Sequence, residues 1–131
     1  MMLLLILTFV LLVIAALHLL WAIGYWLPIA DEAALARAVV GAKGVDKMPG
    51  AVPCALVVVA LLFAMMCLWW PPSGLRTLAL GAIGAVFLAR GVVAYTAFWR
   101  RLTPAEPFAT LDRRYYGPLC LVIGIGFMAQ L

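Results

Sequence analysis

Four long apolar stretches separated by three polar connections set the pattern of this chain. The first runs from about Met2 to Leu27 and stops at Pro28. The second covers about Ala51 to Trp70 and stops at Pro71-Pro72, and the third covers about Leu75 to Trp99. The fourth begins near Tyr115 and continues to Leu131. A helix that crosses a bilayer needs roughly 20 apolar residues, which the first three supply. The fourth is the shortest, about 24 Å long at the helical rise of about 1.5 Å per residue. In the first connection, Pro28 to Gly50, Asp31 is placed to cap a short surface helix that a glycine ends. The second connection, "PPSG", reads as a tight turn whose prolines cannot continue a helix. The third, "RRLTPAEPFATLDRR", carries two prolines and charges at both ends. The pattern predicts an all-α fold: one domain over residues 1–131, a polytopic bundle of four transmembrane helices.

Composition sharpens that reading. Hydrophobic residues make up 69% of the chain and charged ones 11%, against roughly 45–50% and about 25% in a soluble domain. The chain lacks the polar surface to face water, so the bilayer is its expected solvent. No Lys or Arg precedes the opening apolar run, which is longer than the roughly 7–15-residue core of a signal peptide. It is expected to remain as a transmembrane helix.

Charge supplies the orientation. Arg37, Lys43 and Lys47 lie in the first connection, Arg100, Arg101, Arg113 and Arg114 border the third, and only Arg76 sits by the second. Basic residues in short loops favour the cytoplasmic side, so both long connections are expected there and both termini outside. Trp69 and Trp70 would mark one membrane interface, and Trp99, Tyr115 and Tyr116 the other. Because the net charge of +4 is divided among helix ends, its expected partners are lipid headgroups. A nucleic-acid footprint would cluster on one face.

Two ionisable residues fall inside the expected spans: His18, the only histidine, and Arg90. Counted from Leu27 and Arg100, both lie about 14–15 Å from the cytoplasmic boundary, near the midplane. Ala15, His18, Ala22 and Tyr25 follow a 3–4–3 spacing, which turns His18 toward the bundle on a small-residue stripe. Gly81, Gly84, Leu88, Gly91 and Tyr95 form a second such stripe, with Arg90 off it beside Ala94 and Ala97. An arginine at this depth needs compensation. No Asp or Glu lies within the spans, so the candidates are backbone carbonyls, a loop carboxylate such as Asp112, a lipid or a ligand. For His18 the alternatives are a hydrogen-bonded core histidine, a ligand or proton-handling group, and a metal ligand.

Other chemistry finds little support. A single histidine excludes a bis-histidine haem site, and Cys54, Cys67 and Cys120 form no Cys-x-x-Cys pair. "MMC" at Met65–Cys67 suits soft copper less well than it suits helix packing, so no metal site and no cofactor is identified. There is no nucleophile triad, P-loop or Gly-x-Gly-x-x-Gly. The segment "FATLDRRYYGPLCLVIGIG" offers a site at the cytoplasmic mouth using Asp112, Arg113 and Tyr116, or else a topology anchor. Its Pro118 is tolerated if the fourth helix begins nearby, and Gly117, Cys120 and Gly124 then form a close-packing face.

Three pieces in order, "LHLLWAIG", "FLARGVVAY" and "FATLDRRYYGPLCL", resemble a family of small bacterial four-helix membrane proteins catalogued as a domain of unknown function. The resemblance implies a fold and a bacterial inner-membrane location and supplies no activity. The leading expectation is a membrane protein that binds or transports a small amphipathic or anionic molecule. In it, His18 handles hydrogen bonds or protons, Arg90 anchors the ligand, and Trp21, Tyr25 and Tyr95 form walls. The alternatives are an intramembrane enzyme on a lipophilic substrate, with His18 as acid or base, and a non-catalytic accessory subunit. Membrane lipids, a second copy packed through glycine and alanine stripes, and a partner subunit are the expected partners.

Overall fold

A computed structural model describes all residues, 1–131, and the chain is helical throughout with no strand. Three helices are long and apolar enough to cross a membrane: α1 (Met2–Ala22), α3 (Ala51–Trp69) and α4 (Gly74–Val93). Between α1 and α3 lies α2 (Glu32–Val39), which opens with the Asp31 side chain accepting from Ala34 N at 3.2 Å. It ends where Gly41 takes a left-handed φ of 73°, as the capping pattern predicted. After α4 come α5 (Ala97–Leu102) and α6 (Phe108–Leu111), a π turn (Asp112–Tyr116) and α7 (Gly117–Met128).

The helix ends depart from expectation for local reasons. The first helix stops five residues short of Leu27 because Gly24 adopts a φ of 81° and Tyr25 N reaches back to Leu20 O at 2.8 Å. That is the six-to-one bond of a Schellman motif. The third helix, expected to run to Trp99, stops at Val93. There Thr96 Oγ1 donates to Val93 O at 2.8 Å and accepts from Trp99 N at 3.3 Å, ending one helix and capping the next. The last helical run starts earlier than Tyr115, at Phe108, and passes through Pro118 by widening. Gly117 N bonds Asp112 O, five residues back. The next amide in that register would reach Arg113 O, but it belongs to Pro118, which has none. Tyr95 Oη donates to that carbonyl instead, at 2.9 Å.

The long helices associate as two antiparallel pairs. Helix α1 packs on α3 through Leu7, Leu11 and Ala15 against Leu61, Ala64, Met65 and Leu68. Helix α4 packs on α7 through glycines: a Cβ on Gly91 would lie 2.9 Å from Gly117 O, and one on Gly124 would lie 2.9 Å from Leu88 N. The two pairs join at the end holding the α3–α4 turn, where Leu80, Ile123 and Phe127 enter the core built by α1 and α3. Arg76 ties that end, donating to Leu68 O and to Gln130 O, both at 3.2 Å. It thereby satisfies carbonyls at the C-terminal ends of α3 and α7. At the opposite end, α2 and its flanking loop cover Trp21 and Cys54 with Leu35, Ala36 and Met48. Between these two layers the pairs separate.

Candidate functional site

That separation leaves a cavity of about 590 Å³. Its walls are Ile14, Leu17, His18 and Trp21 of α1, Val57, Ala60 and Leu61 of α3, and Val86, Phe87 and Arg90 of α4. Val39 and Phe108 close it from α2 and α6, and Tyr116, Leu119, Cys120 and Ile123 complete it from the π turn and α7. His18 and Arg90 therefore face one cavity. A second, smaller space of about 120 Å³ shares His18 and Trp21 and reaches under Met48, Pro49 and Pro53.

Their common level is nearer a helix end than the sequence count gave. His18 stands one turn before the end of α1, and Arg90 less than one turn before the end of α4. Those separations are about 6 Å and about 4.5 Å. The count from Leu27 and Arg100 overshot because both helices stop early, for the reasons given above.

His18 Nδ1 lies 2.8 Å from Ile14 O. A carbonyl only accepts, so Nδ1 carries the proton in this contact and Nε2 is the ring nitrogen left free of it. The ring rests on Trp21, with centroids 4.7 Å apart, and Trp21 Nε1 donates to Leu27 O at 2.7 Å. A carbonyl one turn back thus orients the imidazole, and an indole that is itself tethered supports it.

Arg90 is charge-paired, and among the candidates for its compensation the partner is the loop carboxylate Asp112. Arg90 Nη2 donates to Asp112 Oδ1 at 2.7 Å. Asp112 is fully buried, and its Oδ2 accepts from Arg100 Nη2 at 2.6 Å and from Trp99 Nε1 at 2.8 Å. The indole of Trp99 also lies beneath the Arg90 guanidinium, 5.1 Å from ring centroid to Cζ. Burying a carboxylate is tolerable when both oxygens are hydrogen-bonded and its charge is matched, and the Asp112 surroundings do both with three donors. Arg100 is held in turn by Ala109 O at 2.7 Å and Thr103 Oγ1 at 3.1 Å. Arg90 Nη1 remains buried with no partner.

Several expected site residues sit elsewhere. Tyr25 is exposed, because the Schellman turn at Gly24 ends the helix before its stripe reaches that position. Tyr95 is also exposed and bonds Arg113 O; the glycine stripe it prolongs faces α7, away from the cavity. The Arg113 side chain is exposed and reaches back to Ala109 O at 3.3 Å. Of the mouth motif, Asp112 is the buried counter-ion and Tyr116 is a cavity wall whose Oη donates to Ala38 O at 2.9 Å, tying the π turn to α2. Trp99, read as an interface aromatic, is also a donor to Asp112. The glycine faces expected for self-association are consumed between α4 and α7, apart from Gly81, which meets nothing within 4 Å. Arg100, Trp99 and Cys120 were not singled out for the site. The three-donor grip on Asp112 depends on the break at Thr96, which apolar periodicity does not register.

A family model described as protein of unknown function (DUF3995) matches residues 11–127. No curated protein and no solved structure matches the chain.

Proposed function

The chain belongs to the DUF3995 family, and on that premise we propose that it is an integral membrane protein binding or carrying a small amphipathic molecule between its two helix pairs. One observation carries this reading: His18 and Arg90 line the same cavity, whose remaining walls are almost wholly apolar. Its volume falls within the range of about 300–1,000 Å³ typical of small-molecule sites. The polar groups also divide the work of recognition. His18 offers a ring nitrogen and Arg90 a charged guanidinium, so a polar head is oriented while the apolar body fills the space between the pairs.

In this reading the protein crosses the bilayer four times, the fourth crossing being the part of the last helical run from Tyr115 to Met128. That part spans about 20 Å, shorter than the roughly 30 Å hydrocarbon core, a mismatch that local thinning of the bilayer accommodates. The basic residues of the two long connections then lie in the cytoplasm of a bacterial cell and both termini outside. Helix α2, with Arg37 exposed on its outer side, rests at the cytoplasmic headgroup level.

The test is native mass spectrometry of the full chain extracted with its own lipids. The wild type is expected to carry a small molecule that Ala60→Trp excludes, since Ala60 lies on the cavity wall and its replacement fills it. A wild type that carries no molecule, or an Ala60→Trp variant that carries the same one equally well, would overturn the reading.

A further inference from the structure

We propose that the occupant is a single-chain amphiphile with one carboxylate, its head at Arg90 and its tail along Val86, Phe87, Leu61 and Ile123. The inference rests on the cavity reading above and names the class of ligand.

Charge is the first ground. Arg90 and Arg100 share one carboxylate, Asp112, which is the only one either of them reaches. One positive charge is left over, beside a cavity whose other walls are almost wholly apolar. Arg90 Nη2 is committed to Asp112 and Nη1 is covered without a partner, while about a third of the side chain stays open. A monoanion drawn to this guanidinium supplies the missing charge through a charge-assisted hydrogen bond.

Shape is the second ground. Arg90 stands at the last turn of α4, with Phe87 and Val86 one turn further in. Ile123 and Leu61 belong to the buried core toward the α3–α4 turn. The polar end of the cavity therefore lies at the helix ends and the apolar end points into the bundle, matching a head followed by a chain. A volume of about 590 Å³ has room for one chain and a small head, which a single-chain amphiphile fills without leaving a second chain outside.

The purified full-length chain is titrated with myristate, myristyl alcohol and methyl myristate, with complexes counted by native mass spectrometry. Myristate is expected to bind about tenfold more tightly than the two uncharged analogues, the margin of a charged over a neutral hydrogen bond. Arg90→Gln, which keeps a donor but removes the charge, is expected to reduce myristate to the level of the alcohol while alcohol binding persists. If that variant does not fold, the ranking of the three lipids on the wild type decides alone. Equal binding of all three overturns the carboxylate and leaves the cavity reading standing. Displacement of myristate by phosphatidylglycerol, one for one, overturns the single chain. Failure of all three to bind overturns this inference alone if another molecule co-purifies in the cavity, and overturns both readings if none does.

Discussion

Asp112 ties three elements together, because its donors come from α4 and α5 while its own backbone begins the π turn. Removing it leaves two guanidinium groups facing each other without a counter-ion. Loss of one partner from a buried ion pair costs about 3–5 kcal/mol, so Asp112→Ala is expected to destabilise by that order. Arg113→Gln, one position on but exposed, is expected to change stability by less than about 0.5 kcal/mol. Thermal unfolding in detergent, followed by circular dichroism, compares them. Equal midpoints would show that the grip on Asp112 contributes nothing to stability. At this scale the sequence was informative about Arg90: an arginine in an apolar run demands a partner, and Asp112 stood among the few candidates. It could not reveal that Trp99 and Arg100 share the carboxylate. Both depend on a turn made by one hydroxyl at Thr96, and no hydrophobic pattern carries that information.

Among the elements, the closest approach is α4 against α7, and small residues permit it. A Cβ on Gly124 would stand 2.7 Å from Leu88 Cγ and 2.9 Å from the Leu88 backbone nitrogen. The helices would have to part, and overpacking of this kind costs about 1–3 kcal/mol. Gly124→Ala is therefore expected to lower the unfolding midpoint even though alanine favours the helix by about 1 kcal/mol. Gly81→Ala has open space at the same kind of position and is expected to leave the midpoint unchanged or raise it. If both variants behave alike, intrinsic propensity rather than helix approach governs these sites. The glycine spacing was readable in the sequence, but its partner was not: a small-residue stripe serves an intramolecular helix and a second copy equally well. Helix ends were the weaker part of the reading. Gly24, set in an otherwise apolar run, gave little sign that α1 stops there, and from that end follows the exposure of Tyr25.

For the whole molecule, the number of crossings decides whether the cavity has four walls. Three helices meet the length and hydropathy of a span, while the last helical run is interrupted by a π turn and a proline. Such a turn leaves a carbonyl without its main-chain donor, and Tyr95 Oη fills that vacancy at Arg113, so the run Phe108–Met128 remains satisfied where it widens. An even number of crossings puts both termini on one side, whereas three crossings separate them. Fusing alkaline phosphatase, active only outside the cytoplasm, to either terminus of the full chain is expected to give active enzyme from both. Green fluorescent protein at Lys43, within the first long connection, is expected to fluoresce, as the basic residues there require. An inactive C-terminal fusion beside an active N-terminal one would mean three crossings. The run containing α7 would then lie outside the hydrocarbon, and a cavity bounded by Tyr116, Leu119 and Ile123 would face water on that side. An apolar chain would have no reason to enter it.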